Sequence, residues 1–209
     1  MMVEAVPHCR LYLTLPARPS AALESSLSQT LAEADVACVL LRDDMGPIDT
    51  SWDFRLRELT LAHEVAFLIE NDAERAESIG ADGIHIPAGV ALYRSARGKL
   101  GQRAIIGAGC IENRHDAMIM AELGADYVAF GPAEDESTRE RRAELIAWWA
   151  EIFVVPCAAW DVETAEEAER LASFGADFIA LSTAVWQAEG AGHRIATIGA
   201  VLREARTAA

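Results

Sequence analysis

Three stretches of the chain share one construction: SIGADGIHI (78–86), ELGADYVAF (122–130) and SFGADFIAL (173–181). In each, a helix-like segment meets a glycine, then Ala-Asp, then an apolar run. A glycine at a helix C-cap enters the left-handed region at little cost, so the chain can turn at once into a strand. Repeated return from helix to apolar strand is the signature of a parallel α/β arrangement.

The same alternation runs throughout. Strand-like runs fall at 9–15, 36–42, 65–69, 82–86, 103–107, 126–130, 152–158 and 177–181, with helix-like runs such as 19–34, 163–174 and 193–205 between them. In 163–174, Ala165, Ala168, Leu171, Ala172 and Phe174 fall largely on one face. Eight units in 209 residues allow about 26 residues per βα unit, close to the compact limit of a TIM (βα)8 barrel. Continuous apolar strands suit a parallel sheet covered on both sides. An open doubly wound sheet would carry a glycine-rich phosphate turn after its first strand, yet LTLPARPS (13–20) holds no glycine. The expectation is one domain, a TIM (βα)8 barrel, over residues 1–209.

Composition narrows the partners. Apolar residues make up 52% of the chain and the formal net charge is −15. Such a surface repels nucleic-acid phosphates and anionic lipid, so neither is expected as a partner. Apolar runs such as VACVLL (36–41) fall far short of the about 20 residues that a membrane span needs. No signal-peptide pattern opens the chain, which predicts a cytoplasmic protein. Cys9, Cys38, Cys110 and Cys157 show no metal-ligand spacing and read as buried thiols, with Cys110 alone a candidate for reactivity.

In a barrel of this kind the chemistry gathers where strands end and βα loops begin. Those ends read LLRDD (40–44), IEND (69–72), HIPAG (85–89), GAGC (107–110), FGPAEDESTRERR (130–142), CAAWD (157–161) and LSTAVW (181–186). In FGPAEDESTRERR, acids in a first helical turn followed by arginines read as a self-stabilised helix start on a solvated loop. IAWW (146–149) places two tryptophans on different helix faces, one toward the barrel and one partly exposed, so a homo-oligomer interface is a further expectation.

VLLRDD, LIEND, ADGIHI, AIIGAG, GADYVAFGP and GADFIALSTAV follow, in order, the motif track of thiamine phosphate synthases, and the chain resembles that family from LYLTLP (11–16) to its last strand. The resemblance implies a (βα)8 barrel that joins hydroxymethylpyrimidine diphosphate to a thiazole phosphate, releasing pyrophosphate with Mg²⁺ as cofactor. It implies a phosphate-binding role for Arg42, and places Asn71 and Asp72 at the family's Asn-Asp pair, with Asp72 the metal ligand. Thr138 and Arg139 match the family's Thr-x-Thr-Lys loop, and Ser182 matches a phosphate-holding serine. His85 lies within strand four as a further ligand candidate.

The pattern also departs from the family's. Asp44 replaces a lysine, Val90 a second metal carboxylate, Gly109 a serine and Glu136 a threonine. Trp160 and Asp161 replace a glycine pair after strand seven, where an indole and a carboxylate would crowd and repel a phosphate. The sequence expectation is therefore a synthase-like barrel with a diverged site that binds a phosphorylated or heterocyclic small molecule, the family's catalysis being in question. One alternative is an active synthase, a transferase in which Asp44 serves as a relocated Mg²⁺ ligand beside Asp72. The other is a non-catalytic regulatory or binding protein.

Overall fold

The computed structural model describes residues 9–43, 48–188 and 190–208. Eight parallel strands close on one another in chain order: β1 Arg10–Leu15, β2 Val36–Leu41, β3 Ala66–Glu70, β4 Gly83–Pro87, β5 Ile105–Ile111, β6 Tyr127–Phe130, β7 Cys157–Val162 and β8 Phe178–Leu181. Pairing of Leu13 with Leu181 belongs to the β1–β8 ladder that closes the barrel. Helices α1 Ala21–Glu33, α2 Thr50–Ala62, α3 Ala73–Ile79, α4 Val90–Leu100, α5 Arg114–Leu123, α6 Glu136–Ile152 and α7 Ala165–Ser173 follow successive strands, and α8 Ala184–Gln187 and α9 Ala191–Ala208 follow the last.

The strands read as continuous apolar runs because both of their faces are buried. Leu11, Leu13, Leu15, Val39, Leu41, Phe67 and Ile69 pack outward with helix residues such as Leu27, Leu56 and Trp149. The alternate residues Tyr12, Cys38, Leu40, Leu68, Tyr127, Ala129, Ala158, Trp160 and Ala180 form a separate inner cluster. Alanines at 129, 158 and 180 leave room there for the three rings. Gly107 is obligatory for the same reason: a Cβ on it would stand 1.9 Å from the Tyr127 ring.

The recurring Gly-Ala-Asp proves to be two devices. Gly80 and Gly124 cap α3 and α5 in the left-handed conformation. The aspartates lock neighbouring strands. Asp82, Asp126 and Asp177 each donate their backbone N–H to the carbonyl of Phe67, Ile106 and Cys157. Each also accepts the N–H of that same residue on its side chain, at 2.8 Å in all three cases. A fourth, divergent copy precedes β2, where Ala34-Asp35 lacks the glycine and the Asp35 carbonyl accepts the Leu11 N–H. The phrase thus marks the N-terminal entry of every even strand, away from the mouth where the strands end.

Two expectations need correction. Phe174 is not on the buried face of α7; it forms the C-cap and is 40% exposed, while Ala168 and Leu171 are buried. Arg142 is not part of a solvated charge run. It is buried beneath the β6 and β7 ends, donating to the Trp160 carbonyl at 2.6 Å and to Glu167. The tryptophans behave as expected, with Trp149 fully buried and Trp148 half-buried beneath Arg114, whose guanidinium lies 4.6 Å from the ring centroid.

Candidate functional site

Below the C-terminal ends of the strands, in the middle of the barrel, the inner cluster forms a floor of aromatic rings. Trp160 stacks on His85, with centroids 4.3 Å apart and planes 13° apart, and meets the edge of Tyr12 at 5.3 Å. The Tyr12 and Tyr127 hydroxyls are 2.7 Å apart, and Tyr127 lies 2.9 Å from His85 Nδ1. His85 is pushed down to about 3 by burial first and by the nearby Arg42 charge second, so its ring is neutral across the physiological range.

Trp160 therefore departs from its expected place. β7 extends to Val162, with an irregularity between Ala159 and Val162. The indole shares the inward parity of Ala158 and fills the barrel instead of crowding the loop beyond it. Asp161 does reach the rim. Its φ of 65° is the left-handed conformation that suits a glycine at this point and that aspartate adopts more readily than most residues.

Above the floor the rim opens into three clefts. The first, about 780 Å³, lies beyond β1, β2 and β8 and is lined by Pro16, Arg18, Arg42, Asp43, Thr183 and Trp186 among others. The second, about 750 Å³, lies beyond β4 and β5, with Gly109, Cys110, Ile111, His115 and Arg141 in its lining. The third, about 390 Å³ beyond β6 and β7, carries Glu136, Asp161, Glu163, Glu166 and Glu167 against Arg139 and Arg170.

The sequence-predicted residues divide among these features. Arg42 follows β2 and its Nε donates to Glu70 Oε2 at 2.8 Å; the same carboxylate oxygen accepts the Asp43 N–H. Its guanidinium lies 6.0 Å from the Trp160 centroid, so Arg42, Trp160 and His85 form one group. Ser182 is buried at the end of β8, where its hydroxyl accepts the Ala184 N–H. Asn71 is exposed after β3, in a left-handed conformation with φ 59°. Asp72 acts as N-cap of α3, accepting the Arg75 N–H at 2.9 Å.

Thr138 and Arg139 belong to the start of α6. Asp135 and Thr138 form a reciprocal capping box, and Arg139 pairs weakly with Glu136 at 3.7 Å and Glu167 at 3.8 Å. The charged loop stabilises its own helix, as its sequence suggests. Asp44 lies outside the described residues. Cys110 is buried and its thiol is pushed up to about 12 by burial, which disfavours the nucleophilic thiolate.

A closed (βα)8 barrel with clefts at the strand C-termini and an arginine over its floor belongs to the class of barrels whose small-molecule sites sit at the loop face. The family model for thiamine monophosphate synthase matches residues 11–185. The chain is 40% identical over 185 residues to a protein named thiamine-phosphate synthase from Rhodospirillum centenum, covering 85% of this chain and 89% of that one. A protein of the same name from Hyphomonas neptunium is 37% identical over 195 residues, covering 88% of each chain. The thiamine phosphate pyrophosphorylase structure from Pyrococcus furiosus superposes with a TM-score of 0.77 at 20% identity, over 95% of this chain and 98% of that one, which shows the shared fold. The chain belongs to the thiamine phosphate synthase family.

Proposed function

We propose that the protein is a thiamine phosphate synthase working at this mouth, joining hydroxymethylpyrimidine diphosphate to thiazole phosphate with release of pyrophosphate. The kinship carries the reading: it runs along nearly the whole chain, with identities of 37–40% to relatives bearing that name. It takes precedence over the sequence expectation of a diverged site with the family's catalysis in question, part of which rested on Trp160 crowding a phosphate loop, whereas its indole fills the barrel.

Within this reading Arg42 supplies the charge that a leaving diphosphate needs. Its Nε is held by Glu70, which fixes the guanidinium plane and leaves the terminal nitrogens for phosphate oxygens. The Trp160–His85 floor excludes water from below, and the neutral His85 adds no competing charge.

The family's Mg²⁺ finds no complete set of ligands among the described residues. Asp72 is engaged as a helix cap, exposed Val90 stands where a second carboxylate is expected, and no group of three His, Cys, Asp or Glu side chains is arranged to hold a metal. No step is therefore routed through a metal bound by these residues. The decisive experiment is formation of thiamine phosphate from the two precursors, with and without Mg²⁺. No turnover at saturating substrate and metal would overturn the reading.

A second reading, binding without displacement, draws on one specific observation. The third cleft, beside Thr138 and Arg139, carries five carboxylates against two arginines. That excess opposes a second phosphate. Calorimetric binding of thiamine phosphate or thiazole phosphate with no accompanying turnover would select it.

A further inference from the structure

His85 is 6% exposed, and only one of its ring nitrogens is engaged. Nδ1 pairs with Tyr127, whereas Nε2 has no hydrogen-bond partner among the described residues. Nε2 lies 3.1 Å from the point where a Cβ on Gly109 would stand. The ladder pairs His85 with Gly107 and Pro87 with Gly109, so Gly109 lies one step nearer the mouth than His85, and it lines the cleft beyond β4 and β5. Any side chain at 109 would cover the nitrogen.

The two phenols decide which nitrogen carries the proton. If Tyr12 donates to Tyr127 and Tyr127 donates to Nδ1, both buried hydroxyl protons are used and the imidazole proton must sit on Nε2. If Nδ1 carried the proton, the chain would run the other way and leave the Tyr12 proton facing the Cys38 thiol, a weak acceptor. The Nε2–H of the first arrangement is not sealed off and can meet solvent or a ligand past Gly109, whereas the Tyr12 proton of the second is fully buried with only a thiol to meet, so the first arrangement wins.

We propose that Tyr12 and Tyr127 are positioning residues that hold His85 as the Nε2–H tautomer, and that this N–H, reached past Gly109, binds an acceptor ring nitrogen of a neutral heterocycle at the mouth. The inference rests on the mouth being the ligand site, as proposed above, and extends it to the direction of one hydrogen bond. The ring stacked on Trp160 cannot swing without breaking the stack, so the donor direction is fixed before a ligand arrives.

Histidine two-bond ¹H–¹⁵N spectra of the full chain test this, with His85→Gln identifying the signal among the five histidines. At neutral pH the free protein is expected to show the Nε2–H form, and Tyr127→Phe to turn it into a tautomer mixture. An Nδ1–H form or an imidazolium in the wild type overturns the proposal, as does a Tyr127→Phe protein with an unchanged tautomer. If that variant does not fold, the wild-type spectrum alone decides the tautomer. 4-Aminopyrimidine should shift the Nε2–H signal, while aniline, which lacks the ring nitrogens, should bind at least about tenfold more weakly. No response to 4-aminopyrimidine, or equal responses to both, overturns the acceptor assignment. Turnover measured in parallel separates the two readings: a working synthase with a silent Nε2–H sinks this inference alone, and a responsive Nε2–H without turnover sinks the synthase reading alone.

Discussion

Trp160 and His85 lie face to face, 4.3 Å between centroids, with the Trp160 carbonyl tied to the buried Arg142 at 2.6 Å. The indole is thus fixed at both its ring and its backbone. Trp160→Ala would open a cavity inside the barrel and is expected to cost about 3–5 kcal/mol, as truncation of large buried aromatics generally does. Urea denaturation with the slope unchanged checks this. A loss under about 1 kcal/mol would show that the inner layer repacks around the hole.

Gly107 faces the same layer. An added Cβ would collide with the Tyr127 ring, so Gly107→Ala must displace that ring and with it the hydroxyl paired to His85. The expected penalty is about 1–3 kcal/mol from overpacking, read as a lower thermal midpoint. Gly98→Ala, with nothing within 4 Å of the new methyl, provides the contrast. It should raise stability by up to about 1 kcal/mol through helix propensity.

Acid should find His85. Its folded value of about 3 lies below the ordinary 6.5, so between these limits the unfolded chain binds the proton and the folded barrel does not. The stability linked to the neutral ring is therefore complete above about pH 6.5 and is lost as pH falls toward 3, by up to about 4 kcal/mol. Denaturation midpoints at pH 7 and pH 4.5 measure the slope. His85→Phe, which keeps a stacking ring but no titrating nitrogen, should show a shallower one.

At the opposite end of the barrel, Asp177 accepts the Cys157 N–H on its carboxylate. Asp177→Ala orphans that donor at the start of β7 and should cost about 1–3 kcal/mol. Asp177→Asn, which retains an acceptor oxygen, should recover most of the loss. Equal losses in the two variants, by chemical denaturation, would mean that the charge matters and not the hydrogen bond.

The barrel was legible because its strands are apolar on both faces and its helix ends repeat Gly-Ala-Asp. Why the aspartate recurs was not legible, since its partners Phe67, Ile106 and Cys157 lie 15 to 20 residues earlier and only strand pairing brings them near. The position of Arg42 just past the end of β2 could be read from LLRDD (40–44). Trp160 was misplaced because β7 runs on to Val162, although its shared parity with Ala158 carries the signal for an inward side chain. Arg142 looked like one more member of an exposed charge run. Its spacing from Ile146 and Trp149 puts it on the buried stripe of α6, and that periodicity was the clue. The hydroxyl pair of Tyr12 and Tyr127 joins residues 115 positions apart, which no local pattern reveals.

All four cysteines are free and buried, Cys38 in the inner cluster and Cys9, Cys110 and Cys157 in the outer one. Cys110 also lines the cleft beyond β4 and β5, but an alkylating reagent can reach Cys38 and Cys157 only when their own layers come apart, so those two labelling rates act as two clocks on one molecule. Matching rates at Cys38 and Cys157 would mean that the lumen and the helical sheath dissolve in one event; a faster Cys157 would reveal a sheath that peels away while the lumen stays dry.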